Sequence, residues 1–416
     1  MLYKLLLLFC LYLPFQIALN YSEGFDLASG RVFALALGVL WLFKSLAQKK
    51  LSIPNKIQTL LLFSFFFLSV FSFVFAQNTD WAYRKLLFLL SFTPLYFIVA
   101  DIALKKTRKI IEFLVYGVGL ASLVGIFQFA LQFFIGIDAT LKLWQKIITP
   151  FLGNSFSEAV FQNPSWLVGI SGITYMRAVA FFPDPHIFSF YLGMLFPFAI
   201  ALYINSKKNI FLFFSVSILI ANILTFSRGG YLGLLSGILF ALFIFRKTIV
   251  DEFTLKKFIA INIFILAVTA IIISPNPVSQ RLISSFNVNE GSNIGRLETW
   301  KQSLDVIKNN PLGVGLGNYA MEIKPSADYR EPIYSHNLYF DIAAETGIAN
   351  ALIFIWLIIA SILSFIKLGK NNKLYSAGAI SLFIFSIHSI FETPLFSIHI
   401  LPLFLIIIAL SAARNE

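Results

Sequence analysis

Long apolar stretches separated by short polar breaks run through nearly the whole chain, and it is their length that assigns them. Crossing about 30 Å of hydrocarbon takes around 20 helical residues. Twelve stretches qualify, at about 3–20, 30–47, 57–76, 85–104, 109–136, 186–204, 209–226, 230–246, 257–274, 338–366, 374–391 and 396–413. The fifth and tenth are longer than a bilayer requires. The first has Lys4 ahead of a Leu-rich run, as a signal peptide would, but no small-x-small cleavage site follows, so it reads as a retained helix. The pattern predicts an all-α integral membrane protein, one polytopic domain over 1–416. Two breaks are much longer than turns, 137–185 and 274–335, and loops of that length in a compact domain are usually functional. The first contains an amphipathic stretch, Leu141–Ile148, expected to lie in the interface with Trp144 and Trp166 at headgroup depth.

Composition agrees with this division. Of the residues, 58% are hydrophobic and 12% charged, with a mean hydropathy of +0.82; soluble domains carry roughly twice that charged fraction. The single cysteine, Cys10, excludes an intramolecular disulfide. A net charge of +12 could suggest nucleic acid, but the basic residues sit in short breaks between apolar runs. One alternating set of breaks holds 19 of the 32 Lys and Arg; six of the other 13 are spread through the second long loop. The positive-inside rule then puts both termini in the cytoplasm and both long loops outside, with no nucleic acid needed.

That sidedness sorts the reactive side chains. His186, His336, His388 and His399 fall at outer helix ends or in outer loops, as do Arg177, Asp184, Arg228, Arg296 and Glu392. Few charges occupy the predicted midplanes, and Glu112 lies near a cytoplasmic end. An ion-coupled transporter would need polar groups at mid-bilayer; chemistry gathered on one face favours an enzyme at the outer leaflet.

Each cluster also has a structural reading. Thr225–Gly230 is a tight turn in which Arg228 either snorkels outward or serves a ligand. Gly295-Arg-Leu-Glu-Thr-Trp300 opens an amphipathic segment, and an arginine in a first helical turn opposes the helix dipole, which raises the functional reading of Arg296. Pro311–Asn318, with glycines at 313, 315 and 317, is a plain turn or a nest of N–H groups for pyrophosphate; it lacks the strand and helix of a nucleotide fingerprint. Phe181–His186 reads as a rigid helix start, with His186 a capping or interface residue. His388, Glu392 and His399 have weak metal-ligand spacing, and no metal site is expected. The segment Ser335–Thr346 carries the strongest chemistry. His336 is a candidate base, Asn337 could orient it, and Asp341 or Glu345 could hold its second ring nitrogen, unless both acids only favour a helix N-terminus.

The spacing His336-Asn337, nine residues, then Gly347 resembles the signature of the O-antigen ligase and polymerase family, which also includes bacterial oligosaccharyltransferases. Ser227-Arg-Gly229, Gly295-Arg-x3-Trp300 and Pro311-Leu-Gly-Val-Gly-Leu-Gly317 extend the likeness over the second half of the chain; Asn350 departs from the usual last signature position. The resemblance implies a metal-independent, inverting, GT-C-like glycosyltransferase without a cofactor. Its donor would be a glycan on undecaprenyl pyrophosphate at the periplasmic face of the inner membrane, and its acceptor lipid A-core or a growing glycan. Arg228 and Arg296 would clamp the pyrophosphate and His336 would deprotonate the acceptor hydroxyl, with Arg177, Asn337, Asp341 and Glu345 in support. Ligase, polymerase and oligosaccharyltransferase share such a site. A lipid or polysaccharide transporter is the reading from a different class.

Overall fold

A computed structural model describes the chain apart from residues 23–24, 163–164, 252–275, 285–290, 329–332, 371 and 414–416. Among the described residues seven helices are long and apolar enough to cross a membrane: Ser29–Ala47, Ile57–Phe75, Thr79–Ala103, Lys106–Ile135, Pro185–Ser206, Arg228–Arg246 and Ile348–Gly369. Shorter apolar helices at Leu2–Phe15, Asn209–Leu224 and Ile400–Ala412, and the helix Lys373–His388, occupy four further expected spans. The ninth expected span, at 257–274, lies outside the described residues. The described strands form two antiparallel hairpins, Ala18–Ser22 with Phe25–Ala28 and Leu167–Ile170 with Ile173–Met176. The protein is an all-α, multi-pass integral membrane protein. In hydrocarbon a chain must satisfy its own backbone, and a helix does so within one segment.

Lipid gives helices little hydrophobic reason to associate, so close packing and interhelical hydrogen bonds have to hold them. Lys373–His388 packs along Pro185–Ser206, Arg228–Asp251 and Ile348–Gly369. Gly237 allows one of these contacts, since a Cβ there would stand 2.4 Å from Ile384. Asn222 Nδ2 donates to the Ser189 carbonyl at 3.0 Å and Ser381 Oγ to that of Met194 at 2.6 Å. Residues in breaks of one expected side meet one another. Lys44 pairs with Asp101 at 3.4 Å, Lys106 lies over the Tyr3 ring, and Thr107 reaches Tyr375.

Four expectations need correction. The predicted break after the fourth span does not interrupt the helical run, which continues from Pro94 to Ile135; 105–109 reads Lys-Lys-Thr-Arg-Lys, with no Gly or Pro to stop the ladder. The first span ends early, and 18–22 is a strand rather than helix. Trp144 and Trp166 are buried within the protein rather than open to an interface; their Nε1 atoms donate to the Ala180 and Pro183 carbonyls at 2.7 and 2.8 Å. The tenth span is two helices, Leu338–Thr346 and Ile348–Gly369, divided at Gly347. Gly347 has φ +91, and a Cβ there would meet the Leu312 carbonyl carbon at 2.9 Å, so only glycine fits the joint.

Candidate functional site

Five separate stretches of chain deliver polar groups to one place. Asp184 caps the helix Pro185–Ser206 by accepting the N–H groups of His186 and Ile187 at 2.7 and 2.8 Å, which sets His186 in its first turn. In the turn before Arg228–Asp251, Phe226 takes φ +49 and Ser227 Oγ accepts the Gly230 N–H at 3.2 Å, so the helix starts at Arg228. Arg296 and Trp300 stand one turn apart on Gly291–Asn309. Asn337 caps Leu338–Thr346 by accepting from Tyr339 N and Phe340 N, and His336 just ahead of it has φ +54, a conformation that costs a non-glycine residue about 1 kcal/mol or more.

Glu392, in the segment between the last two helices, is the hub. Its Oε1 accepts from Arg296 Nη2 at 2.7 Å and lies 3.5 Å from His186 Nδ1; its Oε2 is 2.9 Å from His336 Nδ1. Burial alone would raise this carboxyl, but His186, His336 and Arg296 hold it well below the usual carboxylate range. In return the hydrogen bond that His336 donates to Glu392 raises His336 above an ordinary histidine, outweighing its own desolvation and the repulsion of Arg296. The His336 side chain is 49% exposed, and its Nε2 has no hydrogen-bond partner among the described residues. An imidazole held by a carboxylate on one nitrogen and open on the other is the arrangement a general base needs.

Beside it is a cavity of about 220 Å³. Arg228, Asn293, Arg296 and Trp300 supply its polar wall, and Leu232, Leu297 and Phe391 an apolar one. Arg228 is buried and its Nη1 donates to Asn293 Oδ1 at 2.9 Å. Arg296 Nε and Trp300 Nε1 are buried donors with no partner among the described residues. Buried donors are nearly always satisfied, and both of these belong to residues that line the cavity.

The structure thus brings Arg296 and His336 onto one carboxylate and puts Arg228 and Arg296 on one cavity wall. It puts other expected groups elsewhere. Neither Asp341 nor Glu345 holds the imidazole. Asp341 accepts the Ser335 N–H at 2.8 Å and the Thr393 hydroxyl, while Glu345 pairs with Lys85 at 2.7 Å. Both point off Leu338–Thr346 into protein, and the acid that reaches His336 comes from 56 residues away. Asn337 is a helix cap rather than an orienting neighbour. Arg296 lies in the second turn of its helix, which begins at Gly291, so the dipole argument for it does not apply. The glycine-rich loop is a packing turn: the Gly313, Val314, Gly315 and Leu316 N–H groups donate to Asn310 O, Ala344 O, Glu345 O and Ser72 Oγ. His388, Glu392 and His399 engage different partners, with His388 near Ser227 and His399 on the Leu13 carbonyl. Arg177 is buried and donates to the Thr225 and Ser165 carbonyls at 2.6 and 3.0 Å.

Glu392 was not singled out in the sequence as a partner for His336. The one available signal was a lone acid in a short outer break, followed by Thr-Pro. His186 carried none beyond its place after Pro-Asp-Pro.

Residues 210–355 match the model of a family described as O-antigen ligase, Wzy_C. The matched stretch, about a third of the chain, takes in Ser227–Gly229, Arg296, Trp300, the glycine-rich loop and His336, and its similarity to that family supports an O-antigen ligase-type function in general. Arg177, His186 and Glu392 lie outside it. Among curated proteins none matches the chain.

Proposed function

We propose that the protein is a metal-independent glycosyltransferase of the cytoplasmic membrane. It moves a glycan from undecaprenyl pyrophosphate to a hydroxyl of lipid A-core at the outer face, with inversion at the anomeric carbon. The observation that carries this reading is the Glu392 carboxylate shared by Arg296 and His336 beside a cavity with one cationic and one apolar wall. A donor that is pyrophosphate at one end and prenyl chain at the other has the same two-sided chemistry.

In this reading His336 Nε2 takes the proton of the acceptor hydroxyl as its oxygen attacks the anomeric carbon. The bond from that carbon to the pyrophosphate breaks, and the bonding pair leaves with the phosphate oxygen. Arg228 and Arg296 offset the charge that grows there; a guanidinium's planar fork engages two oxygens where an ammonium engages one. The polyprenyl pyrophosphate is already activated, so the arrangement supplies a base and charge stabilisation and nothing more. Glu392 sets both groups, since one carboxylate aligns the base and one edge of the clamp.

Purified protein is incubated with undecaprenyl-pyrophosphate-linked oligosaccharide and, separately, lipid A-core, further donor or an acceptor protein. Glycosylated lipid A-core with release of undecaprenyl pyrophosphate is the expected result. Elongated donor alone would make the protein a polymerase, and glycoprotein alone an oligosaccharyltransferase. No consumption of donor with any acceptor would refute glycosyl transfer.

A further inference from the structure

Behind Glu392 lies a second row of polar groups that the transfer mechanism does not use: Arg177, His186, Ser227 and His388. Their order of donation follows from one fact, that a guanidinium can only donate. Arg177 Nη2 and Nη1 stand 3.4 and 3.5 Å from His186 Nε2. That nitrogen therefore carries the lone pair, and the ring proton is on Nδ1. Nδ1 lies 3.1 Å from Ser227 Oγ and 3.5 Å from Glu392 Oε1. Ser227 Oγ, which also accepts the Gly230 N–H at 3.2 Å, is left to donate to His388 Nε2 at 3.4 Å. His388 is clamped flat on Phe190, with ring centroids 3.5 Å apart and planes at 4°.

Arg177 does not move freely to suit this row. It is buried, and its bonds to Thr225 O and Ser165 O tie the first long outer loop to the turn before Ser227. Its guanidinium is thus a fixed edge against which the imidazole of His186 is registered. The other contacts of Glu392, Arg296 and His336, both belong to the proposed reaction and must adjust when substrate enters. Among the described residues His186 is the contact of the carboxylate that comes from the side held by Arg177.

We propose that His186 is a positioning residue: held by Arg177 as the neutral Nδ1–H tautomer, it shares its one ring proton between Ser227 Oγ at 3.1 Å and, as the longer and weaker arm, Glu392 Oε1 at 3.5 Å, and so fixes the carboxylate that aligns His336. The inference rests on the base assignment to His336 made above and adds a role to the Pro-Asp-Pro-His segment of the first outer loop. His186 touches no substrate in this account and acts through Glu392.

Asparagine and glutamine separate this role from simple packing. An Asn amide nitrogen takes the place of Nδ1, whereas a Gln amide takes that of Nε2. With polyprenyl-pyrophosphate-linked oligosaccharide as donor and the acceptor that supports transfer, His186→Asn should keep kcat within about threefold, while His186→Gln and His186→Ala lose about tenfold with little change in KM, as expected for one weak, indirect hydrogen bond. The acid limb of kcat should move to lower pH in His186→Ala, in the direction of Glu392→Gln, because a carboxylate free to swing supports the His336 proton less. Arg296, His336, Arg177, Asp184 and His388 are the other charged or titratable groups around Glu392 and are unaltered in these variants. Equal activity of the Asn and Gln variants, or an unmoved acid limb in His186→Ala, would overturn the proposal. If the Ala variant does not fold, the Asn and Gln pair decides by itself. Full activity of His336→Ala would instead sink the base assignment, whatever the His186 variants do.

Discussion

Replacing Glu392 by Gln keeps the shape of the hub and removes its charge. In the folded protein this carboxylate accepts from Arg296 at 2.7 Å and from His336 at 2.9 Å. Hydrogen bonds to charged groups contribute about 1.5–3 kcal/mol each. Losing one such bond in the transition state corresponds to roughly a 10–150-fold fall in rate at 1.36 kcal/mol per decade. A general base itself supplies about 10²–10⁴-fold, which bounds the loss if His336 is misaligned altogether. We expect kcat to fall by about 10²-fold. The pH dependence adds a signed test. Glu392 raises His336, and a base works only when deprotonated, so the rate climbs as pH rises through that raised value. With Gln the support is lost while the Arg296 charge remains, so His336 titrates lower and the acid limb moves to lower pH. Because the imidazole is half exposed, solvent weakens the coupling and the movement is smaller than burial alone would give. Transfer measured across pH on lipid-linked oligosaccharide checks both. An acid limb displaced upward, or a kcat within threefold of the parent, would refute the placing of Glu392 behind the base.

Three further outcomes are expected. Arg296→Lys should leave expression unchanged and cut transfer at least tenfold, because a point charge cannot hold Glu392 and a phosphate oxygen together; near-parental turnover would count against the clamp. Lys85→Met leaves Glu345 buried and without its 2.7 Å partner, so melting should show a loss of about 3–5 kcal/mol, recovered largely by the double change Lys85→Met with Glu345→Leu. A double variant as unstable as the single one would argue that the pair is more than a local charge balance. Gly347→Ala puts a Cβ against the Leu312 carbonyl at positive φ; a melting temperature unchanged from the parent would show that the joint tolerates side chains.

Helix length, the alternation of basic breaks and the gathering of His and Arg on one side are local properties of the chain, and they were legible without coordinates. A bilayer imposes a length on each span and a charge bias on each break, so each stretch can be read by itself. The candidates Arg228, Arg296 and His336 came from that reading together with short motifs. What could not be read is which group faces which. Asp341 and Glu345 stand five and nine residues from His336, yet each turns to its own partner, Ser335 and Thr393 for the one and Lys85 for the other, and the break at Gly347 sets their helix apart from the long one behind it. Gly347 gave no warning of this, since a glycine inside an apolar run is common in membrane helices.

Hydropathy assigned the spans and their alternation, because the solvent acts on every residue through the residue's own side chain. Packing set Glu392 against the base and His186 against Glu392, and of the two readings of the glycine loop it took the plain turn, held to Ala344 and Glu345. Those outcomes depend on pairs far apart in the chain, such as His336 with Glu392, 56 residues apart, and Leu316 with Ser72, 244 residues apart, and contacts of that range exist only once the helices have met.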